Sequence, residues 1–179
     1  MLDAVRKKLG ILYTKVYYKH EHDAITDFTR AVSNARTALL LLPDNERDFQ
    51  FARTIVPAFQ KKFKGNRLTV LVPEHVKDPM REVYHCEIVR IHEDDINTLF
   101  LPKMHLRRRI REKNYDVAVD LNIRLHLPSA FLCKESRSKV RIGITKDLAD
   151  TFYNFQLRTD TTGSAKKIYD HLFNCLAMF

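Results

Sequence analysis

The chain predicts an α/β fold, a three-layer Rossmann-like sandwich built on a parallel sheet. Three observations predict it. Short segments such as Leu39-Leu40-Leu41-Leu42 and Val117-Ala118-Val119 are apolar on consecutive positions, so both of their faces are expected to be buried. Stretches with helical spacing of apolar residues alternate with them. Right-handed crossovers between parallel strands then make a Rossmann-like order the default.

The elements follow in order. Residues 1–36 read as a helical extension. Leu2, Val5, Leu9, Leu12 and Val16 recur at three- and four-residue spacing among basic residues, with Gly10 weakening the helix. Packing of this stripe on the main domain is the first expectation. The alternative is a basic amphipathic helix on a membrane surface, with Tyr13, Tyr17 and Tyr18 at headgroup depth. A second helix is expected over His22 to Ala35, with Ile25, Phe28 and Val32 on one stripe.

Residues 37–179 read as the Rossmann-like domain. Thr37 to Leu42 is the first strand, closed by Pro43-Asp44-Asn45. Glu46 to Lys64 is a helix with Phe49, Ala52, Ile55, Val56, Phe59 and Phe63 inward, stopped by Gly65-Asn66. Arg67 to Val72 is the second strand. Asp78 and Pro79 open a short helix to Tyr84, since Asp caps free amides and Pro suits the first helical position. Glu87 to Ile91 is the third strand, and Phe100 to Lys113 is mostly helix. Asp116 to Leu121 and Val140 to Ile144 are the fourth and fifth strands, joined through a polar turn and a helical segment. Thr151 to Leu157 reads as extended, and Ser164 to Met178 as a closing helix.

At 179 residues the chain fits one domain that buries roughly 70% of its unfolded surface. Neither a G-x-G-x-x-G nor a P-loop pattern occurs among the four glycines, so no cofactor is expected. Cys86, Cys133 and Cys175 form no C-x-x-C and read as reduced, mostly buried thiols, with no metal role. No signal-peptide core and no membrane span stands out, which predicts a cytoplasmic protein. The net charge of +9 is concentrated in places such as Arg107-Arg108-Arg109 and Lys61-Lys62. Basic residues in a last turn favour the carbonyl-rich helix end, and they also attract an anionic partner. Without zinc-finger or RNP-type grammar, nucleic acid is the weaker partner.

Ligands of open parallel sheets bind outside the carboxyl ends of the strands. Those ends present Asp44 and Asn45, Glu74 and His75, His92 to Asp95, then Asn122, Arg124, His126 and Lys146. An arginine beside histidine and asparagine suits phosphate or sugar hydroxyls, because a guanidinium offers paired donors. Substrate contacts are therefore expected from Asn45, Asn122, Arg124, His126 and Lys146, with Arg124 foremost. Asp120 is expected to cap its turn, and His126 to pack beside Leu127-Pro128 at a helix start. His92-Glu93-Asp94-Asp95 resembles a metal set in composition only and reads as a solvated loop.

Tyr115-Asp116-Val117-Ala118-Val119-Asp120-Leu121-Asn122, then Ser129-Ala130 and Arg141-Ile142-Gly143-Ile144, resemble in order and spacing the amino-terminal half of family 9 glycosyltransferases. These are the ADP-heptose:lipopolysaccharide heptosyltransferases. Pro57 matches the proline in that family's first helix, and His171 falls in a late helix where the family places one. The resemblance covers residues 37–179 and implies one half of a GT-B architecture, the acceptor side. The family's Gly-Asp pair, however, corresponds to Gln50-Phe51, and a phenyl ring accepts no proton. Asp44 and Asp48 lie in the same turn region and are the candidate catalytic bases in its place. The family's donor-binding domain would begin where this sequence stops. The resemblance thus implies an acceptor-side domain without independent transferase activity, binding an anionic sugar or glycolipid at the inner face of a membrane. Two alternatives stand beside it: a non-catalytic interaction scaffold, self-associating or with another protein, and one half of a split transferase completed by a separate donor-binding chain.

Overall fold

A computed structural model describes residues 2–76, 86–159 and 164–177. The helix expected over Asp78 to Tyr84 lies outside the described residues. The elements, in chain order, are α1 (Leu2–Tyr17), α2 (Phe28–Ser33), β1 (Ala38–Leu41), α3 (Glu46–Ala52), α4 (Val56–Lys62), β2 (Leu68–Pro73), β3 (Glu87–Ile91) and α5 (Met104–Glu112). There follow β4 (Val117–Asp120), α6 (Leu127–Glu135), β5 (Val140–Ile144), α7 (Ala149–Phe152), β6 (Phe155–Leu157) and α8 (Ala165–Ala177).

The six strands form one parallel sheet in the order β3-β2-β1-β4-β5-β6. The α/β, Rossmann-like expectation holds. Chain direction across the sheet reverses between β1 and β4, where Leu41 pairs with Asp120. With crossovers of one hand, that reversal sends helices to opposite faces. Leu40, Val70, Val119 and Ile142 meet α3, α4 and α8 on one face. Leu39, Leu41, Leu71 and Ala118 meet α5, α6 and α7 on the other. Both sides of every central strand are thus dry, which is why these segments read as apolar runs rather than alternations.

Local chemistry sets several boundaries. The single helix expected from Glu46 to Lys64 is divided: α3 ends in a 3-10 turn, Arg53–Ile55, and α4 restarts with Pro57 in its first turn. Proline has no N–H to offer the preceding turn and crowds its carbonyl, so the helix re-forms around it. The extended reading of Thr151 to Leu157 is likewise corrected. Residues Ala149–Phe152 make one helical turn, and only Phe155–Leu157 add to the sheet edge. The second helix is shorter than expected, with Asp27 accepting from the Arg30 amide as its cap.

The largest correction concerns α1. Leu2, Val5, Leu9, Leu12 and Val16 all face solvent, and the helix docks through the opposite side. Gly10, Thr14 and Ile11 face inward there. Gly10 is required by proximity rather than conformation: a Cβ would stand 2.1 Å from the Leu99 carbonyl oxygen. Tyr18, just past the helix, is buried against Phe131 and donates to Glu135 at 2.9 Å, so it has no place at headgroup depth.

Because α1 and the segment after it cover α6, all nine residues of α6 are buried, including two charged ones. A helix buried all round normally carries no charge, so each must be neutralised. Glu135 accepts from Arg107 at 3.0 Å and from Arg111, while Lys134 meets Asp23 at 3.3 Å. Asp23 also pairs with Arg141 at 2.5 Å, fixing the linker between α1 and α2 to the sheet.

Candidate functional site

The reversal between β1 and β4 leaves a crevice outside their carboxyl ends, the place where open α/β sheets bind ligands. A cleft of about 970 Å³ lies there. One wall is the start of α3, with Asn45, Arg47 and Asp48; the floor is the loop after β4, with Ile123 to Leu125. The loop after β5 (Thr145 to Asp147) and the amino end of α8 close the other side.

Beneath the floor is a buried polar core centred on Asp120. Its Oδ1 accepts the Asn122 amide at 3.0 Å and the Asn122 Nδ2 at 2.7 Å. Its Oδ2 accepts the Tyr153 hydroxyl at 2.5 Å and faces Lys146 Nζ at 3.7 Å. Burial, then the charge of Asp120, push the Tyr153 hydroxyl well above its usual range, so it stays a donor. Lys146 also donates to the Asn122 carbonyl and lies 5.2 Å from the Tyr153 ring centre. Asn122 Oδ1 accepts the Asp44 amide at 3.2 Å, tying the loop after β1 to the loop after β4. Asp120 therefore caps its turn as expected, and it also anchors the floor of the cleft.

At the start of α6, His126 Nδ1 lies 2.7 Å from Ser129 Oγ, and its Nε2 lies 3.7 Å from Asp44 Oδ1. Burial lowers the pKa of His126 below the usual imidazole value, against the opposing pull of Asp44 and Asp120. A serine, a histidine and an aspartate in line invite comparison with an acyl-transfer triad. The geometry opposes it. Ser129 Oγ is buried in the first turn of α6, where no substrate reaches it, and 3.7 Å exceeds a hydrogen bond. The trio instead starts a helix, as expected for His126.

Of the residues expected from sequence, Asn45, Asp48, Arg124 and Lys146 line the cleft. Asn122, Asp44 and His126 form the layer that braces it. Asp48 is already engaged: it accepts from Asn45 Nδ2 at 2.8 Å, while Asn45 Oδ1 takes the Asp48 amide as the cap of α3. Phe51 packs half-buried against the core and does not plug the crevice. His171 is exposed on α8, 3.6 Å from Cys175 Sγ. Sequence reasoning missed Arg47, which follows the Asn45 cap, and Tyr153, which meets Asp120 only through folding.

Arg47 and Arg124 are both exposed, and neither forms an ion pair among the described residues. Of the other charges in the lining, Lys146 is held by Asp120, and Asp48 and Asp147 offset the two guanidiniums in net charge. Two free guanidiniums among amide and hydroxyl groups can grip an anionic group while the rest satisfies polar ligand atoms. The loop His92 to Asp95 forms a separate polar hollow, where His92 pairs with Glu74 at 2.7 Å and His105 with Asp95 at 2.6 Å. Among the described residues no set of three or more His, Cys, Asp and Glu side chains is placed to hold a metal ion.

No protein-family model matches the chain, and no curated protein or solved structure matches it.

Proposed function

We propose that this chain is a glycosyltransferase-like acceptor-side domain that binds an anionic sugar or glycolipid headgroup in the cleft at the β1–β4 reversal. The observation that carries the reading is the pair of unengaged guanidiniums, Arg47 and Arg124, at the mouth of a cleft of about 970 Å³. A volume of this order holds a sugar with its substituents. The guanidiniums suit a phosphate or carboxylate, and Asn45, Thr145 and Ser164 suit hydroxyls. The amino end of α8 adds a partial positive charge on the same side. The braced floor supports the reading too, since preorganised polar groups bind without first being ordered.

Transfer chemistry is not part of the proposal. Sugar transfer to a hydroxyl needs a proton acceptor; Asp48 is held by Asn45 and Asp120 by Asn122 and Tyr153, while Asp147 lines the cleft without such a partner among the described residues.

Titration calorimetry with a panel of sugar phosphates and the parent free sugars tests the proposal. Binding of a phosphorylated member, weakened about tenfold or more by Arg124→Ala or Arg47→Ala, is the expected result. Both substitutions should leave stability within about 0.5 kcal/mol of the parent, because the side chains are exposed. Absence of heat with every phosphorylated ligand would remove the reading.

A further inference from the structure

We propose that α1 is an interfacial anchor that lays the protein on an anionic phospholipid surface. Its apolar stripe is turned away from the domain: Leu2, Val5, Leu9, Leu12 and Val16 are each between 50% and 65% exposed. At 3.6 residues per turn these side chains and Tyr13 occupy an arc about 100° wide, roughly opposite the docked face of Gly10, Thr14 and Tyr18. The orientation is fixed. Gly10 sits against the Leu99 carbonyl, and Arg107 donates to the Tyr17 hydroxyl at 2.7 Å. An exposed apolar strip on a helix held this rigidly serves an interface.

Charge selects the occupant. Between Leu2 and Lys19 the helix region carries Arg6, Lys7, Lys8, Lys15 and Lys19 against Asp3 alone. On the helix, Lys8 and Lys15 border the stripe on one side and Arg6 borders it on the other. An apolar strip with basic margins and tyrosines at its edge is the pattern of a helix lying in the headgroup region. Tyr13 and Tyr17 stack there, with ring centres 5.6 Å apart. The same margins disfavour a second copy of the chain, because paired stripes would set basic residues beside basic residues, with Asp3, already paired with Arg6 at 3.4 Å, as the one acidic residue of the helix. No helix among the described residues is long and apolar enough to cross a membrane, so the contact is a surface one.

The inference does not depend on what the cleft binds, and vesicle sedimentation tests it separately. The full chain is mixed with vesicles of phosphatidylcholine containing roughly a third phosphatidylglycerol, and with pure phosphatidylcholine vesicles. The expected result is sedimentation with the anionic vesicles that falls steeply as salt is raised. Leu9→Glu with Leu12→Glu, and separately Lys8→Glu with Lys15→Glu, should each weaken partition at least about tenfold. Both variants should keep the parent circular dichroism spectrum and melting temperature, since the four side chains are exposed. Equal sedimentation with both vesicle types overturns the proposal, as does no sedimentation or an undiminished effect in the variants. Light scattering that shows a dimer, converted to monomer by Leu9→Glu with Leu12→Glu, also overturns it and assigns the stripe to self-association.

Discussion

Lys146 reaches back from the loop after β5 to stand 3.7 Å from the carboxylate of Asp120 at the end of β4, and the two side chains are 7% and 0% exposed. The contact joins the two strand ends that form the floor of the cleft. Asp120 has three hydrogen-bond donors besides Lys146, whereas among the described residues Lys146 has Asp120 as its one carboxylate, the Asn122 carbonyl to accept from it and the Tyr153 ring beside it.

That asymmetry predicts unequal effects. Asp120→Asn strands a buried ammonium and should cost about 3–5 kcal/mol in urea unfolding. Lys146→Met leaves a carboxylate that still accepts three hydrogen bonds, and should cost about 1–3 kcal/mol. Equal losses would show that the pair, rather than the hydrogen bonds, holds Asp120.

Gly10→Ala should destabilise the protein even though alanine is the better helix former by about 1 kcal/mol. The new methyl would press on the Leu99 carbonyl oxygen at 2.1 Å and lift α1 from the domain. A net loss of about 1–3 kcal/mol is expected, with faster proteolysis in the first twenty or so residues. A more stable variant would place α1 elsewhere.

Acid should unfold the protein partly through Glu135. Burial alone would raise its pKa, but hydrogen bonds from Arg107, Arg111 and Tyr18 more than offset this and hold it below the usual value. The unfolded state therefore takes up this proton first. The stability contributed is complete above the unfolded value near 4.5 and declines as pH falls towards the folded one. Glu135→Gln should cost about 3–5 kcal/mol at pH 7 and flatten the decline of stability below pH 5. An unchanged acid limb in urea midpoints measured against pH would assign it to other carboxylates, of which Asp116 is also held low by the amides of Arg36 and Thr37.

His126 should act in a higher window. Its burial keeps it neutral, so its folded pKa lies below the ordinary value of 6.5. As pH falls from 6.5, the unfolded state protonates first and stability drops until the folded value is reached. His126→Asn should remove that part of the slope, with a polar side chain kept at the start of α6. The same slope in the variant would exclude His126 as its source.

Much of the fold was legible because its signals are local. β3 (Glu87–Ile91) and β5 (Val140–Ile144) carry the expected bounds, since the β-branched residues Ile88, Val89, Val140 and Ile142 favour short strands there. The cleft position was legible by topology, because Asn45, Arg124 and Lys146 each follow a strand end. The break in the long helix was not read, although Pro57 marked it, because the apolar periodicity continued across Arg53–Ile55.

The sequence by itself determined the alternation of buried strands with helices, the polar residues that follow the strand ends, and the basic character of the chain. Only tertiary structure decided which face of α1 is covered. Its stripe of Leu2, Val5, Leu9, Leu12 and Val16 has the ideal spacing for a core, yet Gly10 allows a closer approach on the opposite side, and backbone proximity prevailed over apolar pattern. Tertiary structure likewise decided that Asp120 is an anchor rather than a ligand group. Its partners Lys146 and Tyr153 arrive from another strand's loop, and spacing along a chain carries no record of which charges will meet across a sheet.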